Sequence, residues 1–325
     1  MFSNTMNFNE AYDELNRQLN AIYARLREVP SSVPQQLFHY TTFEGLNGIT
    51  GTGRIWASNV RFLNDLSEPK YAAAILKRGI DAVKAKHKAK RENEAKHLLG
   101  NFWNSAQQQY AKEGPDAYAF CFCENGDLLS QWRGYAEKGR GCALGFDSEK
   151  LLERLDKSNG QYLIKAIYKT DEQDEAIESA VERVTGILAE LETAVGSLDT
   201  HFGENARVVK RRIHSAVYAE VVRLQACLKS PAFQEEKEWR IVQFVHPQAD
   251  EPKIRFRSSE GGIVPYLELQ LSEATHDSQP TLPIESVVLG PTVDPALIEE
   301  ALRFMFSKRG DPAVKVTASR VPFRS

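Results

Sequence analysis

Three groups of side chains in this 325-residue chain have the types and spacing to do chemistry. The first is His39-Tyr40-Thr41, where an imidazole, a phenol and a hydroxyl follow the apolar pair Leu37-Phe38. Hydrogen-bonding groups gathered at a strand end can build a polar small-molecule site. The second is Gln131-Trp132-Arg133-Gly134-Tyr135. Its Trp and Tyr lie three apart, on one helix face, where they can stack on a planar heterocycle or fill a core. Tyr118, Tyr162 and Tyr168 compete for the same role. The third is Glu236-Lys237-Glu238. In a strand these two carboxylates share a face about 7 Å apart, and like charges that close raise at least one pKa or recruit a cation. Arg240 offers Glu238 a salt bridge instead, so the acid has a catalytic reading and a structural one. A fourth group, Asn64, Asp65 and Glu68, either lines a pocket or caps the helix that Pro69 starts.

The elements that must position these groups are legible in outline. Leu37-Phe38 begins a short strand; Thr41 or Thr42 caps a helix with Glu44 in its first turn and Leu46 and Ile49 on one face. Gly51 and Gly53 end it, and Ile55-Trp56-Ala57-Ser58 makes a second strand. Residues 117–123 read as a buried strand, followed by a turn whose Asp127 caps a helix from Leu128 to Ala136. Strands at 142–146 and 162–168 come next, then two long charged helices at about 172–195 and 204–228. The two helices form an insertion that caps or flanks the core. Lys237 to Val245 is the clearest late strand, with 254–256 and 263–271 as its candidate partners. A short strand at 284–289, a helix from Asp294 through Met305 and a strand at 314–316 complete the chain.

Strands mixed with helical insertions, without regular βαβ alternation, predict an α+β fold. No dinucleotide fingerprint of the Gly-x-Gly-x-x-Gly kind and no P-loop is present. Residues 1–34 hold an amphipathic helix over 7–28, with Phe8, Tyr12, Leu15, Leu19, Ile22 and Leu26 at alternating steps of four and three. That seam can pack on its own domain, on a protein partner or on a second copy. Residues 35–325 read as a single domain carrying the helical insertion.

With 41 basic and 44 acidic residues the net charge is −3, which excludes polyanion binding by bulk charge alone. The basic run Lys210-Arg211-Arg212-Ile213-His214 and the Lys, Arg and His of the 80s and 90s read first as solvated helix faces. A nucleic-acid groove is the competing reading. No apolar run approaches the roughly 20 residues needed to span a bilayer. The opening residues lack the basic and apolar regions of a signal peptide, so a cytoplasmic protein is expected. Cys121 and Cys123 lie two apart on one strand face, too poorly placed to bridge; with Cys142 and Cys227 they are expected as free thiols, without a metal.

His-Tyr-Thr, then a short helix, then Gly53-x-Ile55-Trp56-x-Ser58 resembles the opening of the ADP-ribosyltransferase fold. A closer resemblance is to the bacterial family called domain of unknown function 2971. It is carried by Phe62-Leu63-Asn64-Asp65 with Glu68, Gln131-Trp132-Arg133-Gly134-Tyr135-Ala136, Glu236-Lys237-Glu238-Trp239-Arg240 and Leu289-Gly290-Pro291. The transferase resemblance implies a mixed, largely antiparallel core sheet and NAD as co-substrate. It implies transfer of ADP-ribose to a nucleic acid or a protein, with NAD hydrolysis as the variant in which water is the acceptor, and a role in phage defence or as a toxin. His39 would bond the adenosine ribose, with Tyr40, Thr41, Ser58, Asn64, Asp65, Gln131, Trp132 and Arg133 around the dinucleotide. Tyr135 would hold the middle position of a His, Tyr, Glu pattern. Glu238 would face the ribose cation and Glu236 the acceptor. Arg61 or Arg133 could grip the pyrophosphate. A binding module acting through the helix at 7–28 is the rival from a different class.

Overall fold

The computed structural model describes residues 8–26, 30, 32–63, 68–89, 103–106, 108, 117–157, 160–195, 202–245, 254–259, 262–271 and 281–322. Its contacts fall into two compact units, each assembled from three segments. One unit comprises residues 1–28, 63–117 and 167–231; the other comprises 29–62, 118–166 and 232–325. The helices expected as an insertion thus share their unit with the N-terminal helix.

The helical unit holds α1 (Phe8–Leu26), α3 (Glu68–Ala89), α6 (Thr170–Val195) and α7 (Ala206–Cys227). Ala11, Leu15 and Leu19 of α1 are fully or almost fully buried, and α1 packs on α6 and α7. Tyr12 of the same seam takes a 2.8 Å hydrogen bond from Arg212, whose guanidinium stands 5.3 Å over its ring. Part of the basic run at 210–214 is therefore held by a ring contact. One buried polar side chain of this unit is bonded on three sides: Gln173 donates to the carbonyls of Ile167 and Lys229 at 2.8 Å and accepts from the Tyr71 hydroxyl at 3.0 Å. Among the described residues no helix is long and apolar enough to cross a membrane.

The other unit is α+β, and its sheet is open, mixed and mostly antiparallel. Among the described residues ten strands belong to it: β1 (Gln36–Thr41), β2 (Arg54–Asn59), β3 (Ala117–Cys123), β4 (Cys142–Asp147), β5 (Gln161–Lys165), β6 (Glu238–Phe244), β7 (Arg255–Ser259), β8 (Gly262–Gln270), β9 (Ile284–Leu289) and β10 (Lys315–Ala318). The order is β10-β9-β4-β1-β3-β2-β8-β7, with β6 attached to β3 and β5 to β6. The pairing of β9 with β10 is parallel. Contrary to the sequence expectation, β7 and β8 are not placed against β6: they pair with each other, and β8 lies along β2. Tyr118, Phe120 and Phe122 of β3 enter the main core with Leu37, Ile55, Ala57, Phe146, Trp239 and Ile241. A smaller cluster, Tyr40, Cys123, Trp132, Ala136 and Ala143, covers the other face.

Local signals explain the elements that carry the site. Helix α2 (Phe43–Thr52) starts where Thr42 accepts from Gly45 N–H at 3.0 Å. It ends at Gly53, which takes a left-handed φ of 65° that costs glycine little. Helix α4 (Leu129–Tyr135) and α5 (Ser148–Glu153) flank β4, and α8 (Pro295–Lys308) is capped by Asp294 with proline in its first turn.

Candidate functional site

Strand β1 sends His39 and Tyr40 to opposite faces of the sheet. His39 Nδ1 lies 2.9 Å from the carbonyl oxygen of Cys121. A carbonyl only accepts, so Nδ1 carries the hydrogen and Nε2 is left as an acceptor. The ring stacks on Phe120 at 3.9 Å and meets the edge of Phe122 at 6.4 Å. Burial, reinforced by the nearby charge of Arg257, brings its pKa down to about 4 despite the opposing bond to Cys121. At neutral pH His39 is an uncharged acceptor.

Tyr40 is part of the core. Its hydroxyl donates to Asn125 O and accepts from Leu128 N–H, both at 2.8 Å, and its ring meets Trp132 edge-on at 4.7 Å. Trp132 is fully buried and donates from Nε1 to Asp127 at 2.8 Å. Neither ring offers a face to a dinucleotide, which corrects the binding role expected of both. Asp127 is also not the expected helix cap: the cap position of α4 is Leu128, without a side-chain bond. The Asp127 carboxylate instead ties Trp132 to Ser319 Oγ at 2.5 Å and Arg320 N–H at 2.8 Å. Of the remaining α4 side chains Gln131 is buried, while Arg133 and Tyr135 are exposed. The spacing that put Trp132 and Tyr135 on one face therefore yields one core ring and one open ring.

The Glu-x-Glu stretch departs from the single strand expected. Glu236 closes a 3-10 turn, Pro231–Glu236, and Glu238 opens β6. Between them Lys237 has a left-handed φ of 39°, strained for a residue with a side chain. Both acids are buried. Glu238 is gripped by Arg240 through Nε and Nη2, each 2.9 Å from a different carboxylate oxygen, and Arg240 is only 1% exposed. Close by, the Cys123 thiol is pushed up to about 11, first by burial and then by the charges of Glu236, Glu124 and Glu238.

The first and third groups both reach the end of β3, from opposite faces of the sheet. The last three residues of β3 hold His39 through the carbonyl of Cys121 and meet Glu236 and Glu238 through the field at Cys123. Period-two alternation puts Phe120 and Phe122 on one face and Cys123 on the other. His39 therefore rests on the phenylalanine face, while Tyr40 and Trp132 pack with Cys123. Thr41 ends β1 half-buried opposite Cys142. Asn64 and Asp65 lie outside the described residues. Glu68 belongs to the helical unit, buried 3.8 Å from Lys229 Nζ. Arg61 is exposed. Among the described residues no group of three or more His, Cys, Asp or Glu could hold a metal ion.

Two polar arrangements escaped sequence reasoning. Glu124 accepts from Trp239 Nε1 and Lys165 Nζ, both at 3.0 Å, with Lys237 Nζ 3.9 Å away. Burial would raise its pKa, but these bonds and charges outweigh burial and lower it. Ser58, expected near the dinucleotide, is buried and accepts from Arg257 Nη2 at 3.0 Å. The second arrangement joins residues 199 positions apart, which no local signal announces.

Residues 131–241 match the family described as protein of unknown function (DUF2971). The match covers about a third of the chain. No curated protein and no solved structure matches the chain. The DUF2971 segment contains the Gln131–Tyr135 and Glu236–Arg240 groups, whereas His39 and Ser58 precede it.

Proposed function

We propose that this chain uses NAD and transfers ADP-ribose to a macromolecular acceptor, a nucleic acid or a protein. The observation that supports the reading is that His39 and the two acids each approach the end of β3, the imidazole at the Cys121 carbonyl and Glu236 and Glu238 through their charges at Cys123. Breaking the bond between nicotinamide and ribose builds an oxocarbenium-like sugar, as in glycoside chemistry. Its stabilisation calls for a carboxylate beside the developing cation and for groups that orient the dinucleotide. His39 Nε2 accepts from an adenosine ribose hydroxyl. Tyr135, 40% exposed, offers its ring to nicotinamide. Because Arg240 takes both oxygens of Glu238, we assign the sugar cation to Glu236 and an orienting role to the Glu238–Arg240 pair.

The test is transfer of label from radiolabelled NAD in a cell lysate, comparing wild type with Glu236→Gln, Glu238→Gln and His39→Gln. Labelled macromolecule from wild type, reduced at least a hundredfold in Glu236→Gln, is the expected result. Free nicotinamide and ADP-ribose without labelled macromolecule would make the protein an NAD hydrolase. Wild type that releases nicotinamide no faster than buffer overturns the reading.

The Glu238–Arg240 pair favours one rival, a non-catalytic binding module. A buried acid already neutralised by a neighbour has a complete structural explanation. That rival predicts no heat of NAD binding by calorimetry.

A further inference from the structure

Among the described residues Arg257 is a cation without an acid in contact. It stands on β7 opposite Val264 of β8, half-buried. A guanidinium has five N–H donors, and taking it out of water without a counter-charge is costly. Its bond to Ser58 uses one donor, and Ser58 is itself only 5% exposed. Among the described residues no carboxylate forms an ion pair with Arg257. Glu268, the acid on the neighbouring strand, is engaged by Arg54 at 2.8 Å and Arg255 at 3.1 Å. Burial holds the Arg257 pKa below its ordinary value, and its charge is near enough to disfavour protonation of His39. An exposed ring lies near the Ser58 hydroxyl: Trp56, two residues before it on β2 and so on the same face, is 46% exposed and packs 4.7 Å from Tyr266.

We propose that Arg257 and Ser58 form a subsite for phosphate oxygens, which holds the pyrophosphate of the dinucleotide. The identity of that ligand rests on the NAD reading above; the chemistry of the subsite does not. The guanidinium fork matches two phosphate oxygens. The Ser58 hydroxyl, already accepting from Arg257, retains its own hydrogen to donate to a third. A phosphate on this subsite supplies the missing negative charge and offsets the field by which Arg257 disfavours protonation of His39.

The subsite is tested by calorimetric titration of the full chain with ADP-ribose, adenosine, inorganic pyrophosphate and a single-stranded oligonucleotide. Wild type, Arg257→Gln and Arg257→Lys are compared, with thermal melts confirming the fold. Arg257→Gln is expected to weaken ADP-ribose and pyrophosphate at least tenfold and to leave adenosine unchanged. Arg257→Lys should recover part of the loss. In wild type, bound pyrophosphate should also raise the His39 titration midpoint, read by NMR of the imidazole, which needs no variant. Binding of pyrophosphate or oligonucleotide that depends on Arg257, with ADP-ribose no tighter than pyrophosphate, keeps the subsite and removes the dinucleotide. Equal ADP-ribose affinity in wild type and a folded Arg257→Gln overturns the subsite and leaves NAD binding intact. Wild type that binds none of the phosphate probes, or an unmoved His39 midpoint, overturns it as well.

Discussion

Arg240 holds Glu238 by two hydrogen bonds of 2.9 Å from adjacent positions of one strand face, with both side chains buried. Breaking such a pair strands a charge in the interior, whereas replacing both partners with apolar groups can be nearly neutral. Arg240→Met is therefore expected to lower stability by roughly 3–5 kcal/mol. The double variant Glu238→Leu/Arg240→Met should be more stable than that single variant. Urea denaturation of the set measures the coupling. A double variant no better than Arg240→Met would mean that the pair does not act as a unit.

His39 makes stability depend on pH in a defined direction. Its folded pKa is about 4, against an ordinary value of 6.5. Between these values the unfolded chain binds a proton that the folded chain does not, so stability rises with pH through the window. The contribution is complete above about pH 6.5 and is lost as pH falls toward 4, a total of roughly 3 kcal/mol at 1.36 kcal/mol per unit. Urea midpoints at pH 7, 5.5 and 4.5 should fall for wild type more steeply than for His39→Gln. Parallel slopes would show that the imidazole is already solvated in the folded state.

Asp127 is expected to matter for packing well beyond its own loop. Asp127→Ala removes the acceptor of a fully buried indole N–H and the partner of Ser319 and Arg320. An unsatisfied buried donor and the two lost bonds together predict a loss of roughly 2–4 kcal/mol. Thermal melting checks the size, and a red shift in tryptophan emission checks that Trp132 is the ring affected.

The β1–α2–β2 unit was legible because its signals are local. Thr42 caps, Gly53 takes the left-handed turn and Leu46 and Ile49 face the core. The long helices at 170–195 and 206–227 were likewise written in their periodicity. What the sequence hid was pairing across distance. Nothing near residue 265 says that β8 joins β2 and not β6. Nothing near Ser58 points to Arg257. Lysine gives no warning of a positive φ, so Glu236 and Glu238 looked like one strand face. Trp132 and Tyr135 showed the right spacing, but spacing alone could not tell a buried ring from an open one.

Gly290, between Leu289 and Pro291, allows two backbones to touch. Its N–H donates to Gly141 O at 2.9 Å, and a methyl group added there would collide with the carbonyl of Gly139. Backbone atoms cannot step aside as a flexible side chain can. Gly290→Ala is expected to cost at least about 2–3 kcal/mol, by analogy with overpacked cores. Soluble yield and melting temperature against wild type decide it; an unchanged melt would show that the loop relaxes freely.

The left-handed Lys237 has a mechanical consequence. It is a swivel between a helical turn and a ladder strand, so one acid is anchored to the sheet and the other to the turn that precedes it. The gap between the two carboxyl groups is therefore set by the backbone angles of one residue and not by the strand repeat. Glycine at 237 would relax the swivel, leaving the sheet intact while blurring the spacing that the two acids present to a substrate.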